Sequence, residues 1–284
     1  MFRLIRIFTF AVLSLLAFAV PAAAQSQIGV RQLKPEEATS VLEAFRGYRP
    51  PADSCMVFEI IHKPRKSDEE TVYSGTMWGK YLDDGLALRL RIGKKGAASS
   101  EQKSFLIHSG KNPSLWELGA DGEVKKVDAE STRPFFADLV FTPFDLQTPF
   151  LFWEKSEYDR TRRHRARPVH FFKMFPPESF TQTNPEIGFV KIGFDRVYNA
   201  LVTAEVCNPD GKKLKSFMLG KVQKVQEIYS FKELELRDEV TRDRDTLIVR
   251  AAALRLGLPR QFFRPEALAQ PDLRLPASVF QNLD

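Results

Sequence analysis

The stretch Leu86-Ala87-Leu88-Arg89-Leu90-Arg91-Ile92 sets a large aliphatic residue at every second position, with a small or cationic one between. Successive side chains of a strand point to opposite faces, so a period of two predicts an antiparallel β-strand with one face on a core and one in water. The same period extends in both directions. Residues 55–62 and 71–81 read as strands, as do 103–108 and 114–118, which the turn residues Gly110-Lys111-Asn112-Pro113 separate. Further strands are expected at 168–175, 188–195, 200–207, 213–222, 228–237 and 245–254. Arg196-Val197-Tyr198-Asn199 and Asn208-Pro209-Asp210-Gly211 join neighbours closely enough for hairpins.

Helical signals are few. Pro35, Glu36 and Glu37 open a helix over residues 35–48, in which Val41, Leu42 and Phe45 share a face, and Pro50-Pro51 breaks the pattern. Thr142-Pro143-Phe144-Asp145 combines a capping hydroxyl, a proline at the first position and an acid at the third. A short helix can open at Pro265. The expectation is a mainly β (α+β) chain of about ten or eleven strands, without repeats or a dividing linker. An antiparallel sheet of that size must curl or close to manage its edges. An unclosed antiparallel β-barrel capped by a few helices is the arrangement expected.

The chain has 284 residues, 42 Lys+Arg against 36 Asp+Glu, and 24 Phe against three Trp and six Tyr. Phe buries a large apolar area and offers no hydrogen bond, so this excess predicts a large apolar interior or an apolar cavity. The N-terminus reads as a leader. Arg3 and Arg6 precede an apolar run over 7–20, and Pro21-Ala22-Ala23-Ala24 supplies a small-residue cleavage site. Residues 1–24 are therefore expected to be a signal peptide cleaved near Ala24, residues 25–284 a single domain, and the compartment the periplasm. Phe2, Phe8, Phe10 and Phe18 lie in the leader, and the excess survives without them. In an oxidising compartment Cys55 and Cys207 could form a disulfide, the alternative being two separate buried thiols.

Catalytic and metal motifs are lacking in the sequence. His62, His108, His164 and His170 stand without a second ligand at metal-site spacing, and no G-x-S-x-G occurs. Gly75 to Lys80 is one residue short of a phosphate loop and falls inside a strand pattern. Neither an enzyme nor a cofactor is expected. The strongest charge feature is Arg160, Arg162, Arg163, Arg165 and Arg167, all within eight positions. These arginines suit anionic lipid head groups or an acidic partner. The alternative is a solvated hairpin pairing with Glu154, Glu157 and Asp159. Export disfavours nucleic acid as a partner.

Two stretches and a closing motif resemble the LolA-like family of periplasmic outer-membrane lipoprotein-sorting proteins. Residues 137–146, with Asp138 and Asp145 at the matching acids, resemble the family's small-Asp-Phe-Ser-Tyr-Glu-Asp-Leu stretch, although Pro143 replaces its usual Tyr. Residues 189–238, in which a strand ending at Asp195 precedes one carrying Glu205, are similar to its meandering strands. Phe263-Arg264-Pro265-Glu266-Ala267-Leu268 resembles its closing motif. The likeness runs roughly over residues 135–268. It implies the same unclosed, helix-capped barrel, with an apolar cavity for lipoprotein acyl chains and no cofactor or catalytic residue. A carrier or chaperone of that kind would meet inner- or outer-membrane sorting components and touch the membrane peripherally.

Inward aromatics expected to line the cavity are Trp78, Trp116, Phe136, Phe141, Phe144, Phe150, Phe152 and Phe171. Arg89 and Arg91 are candidates for a lid-locking arginine on strand alternation alone. The alternative function is a non-carrier envelope structural or stress-signalling module that docks a partner through the Arg-rich segment, its barrel filled by its own side chains.

Overall fold

A computed structural model describes residues 30–49, 53–165, 167–195 and 200–284. The expected leader, the Pro50-Pro51 break and the 196–199 turn lie outside the described residues. Two runs of hairpins build the sheet. The first comprises β1 (Ser54–Lys63), β2 (Thr71–Leu82), β3 (Gly85–Lys94), β4 (Lys103–His108), β5 (Ser114–Leu118) and β6 (Val124–Val127), each antiparallel to the next. The second comprises β7 (Ser156–His164), β8 (Arg167–Met174), β9 (Phe189–Asp195), β10 (Ala200–Cys207), β11 (Lys213–Val225), β12 (Ile228–Asp238) and β13 (Arg244–Leu254). Pairing of β1 with β13, from Ser54↔Leu254 to Lys63↔Arg244, joins the runs into one sheet. A two-residue β14 (Gln281–Asn282) adds to β13.

Strands β6 and β7 form the two ends of the sheet and are not paired with each other among the described residues, so the barrel is unclosed. It is nonetheless curled. Phe58, Leu90 and Phe105 from the first run share one core with Leu234, Leu236 and Val249 from the second. All eleven strands expected from alternation are present among the fourteen. The three extra ones are β6, β7 and β14, which are too short or too charged to show a period. The same traits suit the edges, where lysines and arginines discourage pairing with another chain.

The connection from β6 to β7, residues 128–155, carries much of the Phe excess from one sheet edge to the other. It holds α2 (Pro143–Gln147), whose Thr142–Asp145 capping box matches the sequence expectation; the Thr142 N–H donates to Asp145 Oδ2 at 2.8 Å. Phe135, Leu139 and Phe141 enter the first core. Phe144, Phe150 and Trp153 enter a second, with Phe180 of α3 (Glu178–Thr183) and with Ala38 and Leu42 of α1 (Pro35–Gly47). Helix α1 is fastened by Phe45, stacked on Phe194 at 4.5 Å, and by Arg46, which donates to the carbonyls of Leu151 and Trp153.

The opposite face of β1–β4 is covered too. Leu258, Phe262, Phe263 and Leu268, after the last long strand, pack on Cys55, Trp78, Ala87 and Leu106. This corrects the expectation of a solvated face at Arg89. That side chain is 2% exposed, donates to the carbonyls of Ala267 (2.8 Å) and Gln270 (2.7 Å), and lies 4.2 Å from the Phe262 ring. Asp272 ion-pairs with both Arg89 and Arg91. The two arginines thus fasten the C-terminal segment.

The cysteines are also resolved. Cys55 and Cys207 are both free and buried, on β1 and β10, with β13, β12 and β11 lying between those strands in the sheet. Of the two alternatives, the structure has separate thiols.

Candidate functional site

Inside the curl the Phe-rich connection does not fill everything. A cavity of about 550 Å³ remains at one end of the barrel, bounded by both hairpin runs and by α2. Met56 of β1, Met77 of β2 and Leu88 of β3 supply one wall. Leu201 of β10, Phe217 and Leu219 of β11 and Leu234 of β12 supply another, and Leu146 with Leu151 closes the side toward α2. Tyr48, Val222 and Tyr229 border the cavity while being 41%, 48% and 58% exposed, so the space opens to solvent along an apolar rim.

Polar lining groups are few and mostly neutralised. The Lys215 ammonium donates to the Asp145 carboxylate, which also accepts from the Thr142 hydroxyl at 2.7 Å. Arg167 Nε donates to Asp195 Oδ2 at 2.6 Å. Arg165, at the turn between β7 and β8 with φ of 47°, spans to β11 and donates to the carbonyls of Leu219 (2.9 Å) and Gly220 (2.8 Å). The register of β11 against β12 shifts between Leu219 and Lys221, which leaves Gly220 without a ladder partner there. His164 borders the cavity as well. Burial first, then Arg165 and Arg162, hold its imidazole below the ordinary histidine value of 6.5.

None of the eight aromatics expected to line the cavity does so. Trp78 and Trp116 lie on the other face of the sheet, where Trp78 meets Phe262 edge-on at 5.6 Å and Trp116 meets His108 at 5.0 Å. Phe141, Phe144 and Phe150 are buried core, and Phe136 packs on Tyr73 at 4.7 Å. Phe152 is half-buried at the end of the turn after α2. Phe171 lies beside Gly193, where an added Cβ would be 2.7 Å from its ring, with the Arg162 guanidinium 4.3 Å from the ring centre. The physical reason is packing. Large apolar side chains contribute most when contacted on all sides, so most of these rings pack into the cores. The void is bordered by aliphatic side chains together with other rings, Phe217 and Phe231 among them.

The Arg-rich segment divides. Arg165 and Arg167 border the cavity, Arg162 covers Phe171, and Arg160 pairs with Asp159 at 3.1 Å, a partner foreseen for the solvated hairpin. Arg163 lies on the same strand, β7, and is exposed. Alternation did place Leu88 on the buried face of its strand, and Met56 and Met77 fell within expected strands. Sequence reasoning missed them as cavity residues because nothing local separates a residue beside a void from one beside another side chain.

The fold is that of the outer-membrane lipoprotein-sorting, LolA-like proteins, as the sequence resemblance implied. It matches a domain from Vibrio parahaemolyticus assigned as an outer membrane lipoprotein-sorting protein, with TM-score 0.67 and 14% identity over 82% of this chain and 97% of that one. A DUF1329 family protein from Desulfovibrio piger matches with TM-score 0.66 and 12% identity, over 82% and 98% of the two chains. A LolA superfamily protein from Nitrosomonas europaea matches with TM-score 0.56 and 16% identity, over 81% and 99%. No family model and no curated protein matches the sequence. At these identities the likeness is one of fold.

Proposed function

We propose that this protein is an exported periplasmic carrier that shelters acyl chains of a lipid or lipoprotein in the barrel cavity, without a catalytic step. The observation carrying this reading is the cavity itself, an apolar space of about 550 Å³ that the chain's own aromatics leave open. That size is typical of small-ligand sites. Each methylene moved into it from water gains about 0.8 kcal/mol, so chain binding needs no specific polar chemistry. The exposed apolar rim at Val222 and Tyr229 offers a path between the cavity and a membrane or a donor protein. The rival reading, an envelope module that docks a partner through its arginines, is expected to have a filled barrel, and the open cavity favours the carrier.

Native mass spectrometry of protein purified from the periplasm tests the proposal. Co-purifying lipid or lipopeptide supports it. Protein that is repeatedly ligand-free, and takes up none on incubation with envelope lipid, overturns it.

A further inference from the structure

Two features of the cavity narrow what it holds. The first is volume. A space of about 550 Å³ falls in the range of single small-ligand sites, roughly 300–1,000 Å³, and one acyl chain is the smallest cargo that would occupy it.

The second is the state of its polar wall. Asp145 and Asp195 are each matched by a cation, Lys215 and Arg167. Arg165 is different. Its donors reach the carbonyls of Leu219 and Gly220 and the Met218 sulfur at 3.4 Å, and it ion-pairs with no carboxylate among the described residues. Beside it, His164 Nε2 is shut off from solvent and has no hydrogen-bond partner in the described structure. A buried polar nitrogen without a partner is costly, and Arg165, exposed at the rim of the cavity, is a cation that an anionic head group there can pair with. His164 ends β7, Arg165 follows it in the turn, and both border the same cavity.

From these we infer that the ligand is a single-chain anionic amphiphile, its chain in the cavity and its carboxylate or phosphate against Arg165, with His164 Nε2 reached once the ligand shifts the turn enough to uncover it. This deepens the carrier reading and rests on it. With its imidazole held below the ordinary histidine value, His164 is uncharged at neutral pH and offers a hydrogen bond, while Arg165 supplies the charge. A guanidinium suits carboxylate and phosphate equally, so the head could belong to a free fatty acid or to a lysophospholipid.

The test uses the delipidated full protein, titrated with palmitate, palmitoyl-lysophosphatidylglycerol, hexadecanol, dipalmitoyl-phosphatidylglycerol vesicles and a tripalmitoylated lipopeptide. Expected is one-to-one binding of palmitate, lysophosphatidylglycerol or both, at least tenfold tighter than hexadecanol and than either multi-chain lipid. Which of the two single-chain anions binds more tightly identifies the source of the head. Arg165→Met, which keeps the aliphatic stem, should weaken the preferred anion about tenfold and leave hexadecanol unchanged; His164→Phe should do the same more weakly. Two-chain or three-chain lipids binding as tightly as palmitate would overturn the single-chain inference and leave the carrier reading standing. An Arg165→Met protein that melts like the parent and loses no preference for the anion over hexadecanol would overturn the head-group assignment. Binding of none of the five would sink the carrier reading as well.

Discussion

His62 Nδ1 lies 2.7 Å from Oδ1 of Asp245, and the other oxygen of that carboxylate accepts the backbone N–H groups of Val140 (2.7 Å) and Phe141 (2.8 Å). Asp245 is fully buried on β13, and His62 is on the neighbouring β1. One carboxylate therefore ties the sheet to the Phe-rich connection that packs into the barrel. Asp245→Ala would strand two amide donors and an imidazole in the interior. Breaking such a buried arrangement from one side costs about 3–5 kcal/mol. Urea unfolding should show that loss, and a change below about 1 kcal/mol would mean the connection is held by packing alone.

Asp53 makes a comparable clamp at the start of the C-terminal segment, accepting from the N–H groups of Leu256 (2.8 Å), Gly257 (3.2 Å) and Leu258 and from Lys80 (3.3 Å). Burial pushes its carboxyl up, but the Leu258, Lys80 and Leu256 hydrogen bonds outweigh burial and hold it below the ordinary value of 3.8. A depressed folded pKa means the clamp's contribution is complete above that ordinary value and is lost as pH falls past it toward the folded one. At pH 6, Asp53→Asn should cost about 2 kcal/mol. Parallel unfolding titrations from pH 6 down to about pH 3 should show the gap between parent and variant narrowing. A gap that widens on acidification would contradict the assignment.

The two cysteines give a direct chemical check. Burial pushes the Cys55 thiol up to about 12, and burial raises Cys207 as well. Thiolate is the reactive form, so neither should react with a thiol reagent in the native protein at neutral pH. In denaturant without reductant, two thiols per chain should titrate. A count of zero would mean that the two are bridged.

On the carrier proposal, cavity volume should govern lipid retention. Leu88→Trp and Leu234→Trp place a larger ring into the space from β3 and from β12, residues that are 7% exposed. Because a void receives the added atoms, the stability change should stay within about 1.5 kcal/mol, while retained lipid falls sharply by mass spectrometry. Trp78→Phe and Trp116→Phe, on the opposite face under the C-terminal segment, should leave retention unchanged. Loss of lipid in the latter pair alone would move the binding site to that face.

The period of two at Leu86 to Ile92 and its repeats determined the eleven principal strands. Proline, acid and hydroxyl positions determined α1 and α2. These are local properties, since side-chain alternation and orphan N–H groups at a helix start are satisfied within a few residues. Only the tertiary structure decided which faces stay wet and which space stays empty. Arg89 occupies the polar phase of its strand, yet Ala267, Gln270 and Asp272 cover it, almost two hundred residues downstream. The Phe excess was legible as a demand for a large apolar interior, but whether a given ring fills that interior or borders a void depends on what remote elements bring against it. Strands β3 and β10 wall one cavity although they are far apart in both sequence and sheet order. A cavity is defined by the atoms that are absent between such elements, and no residue's own pattern records that.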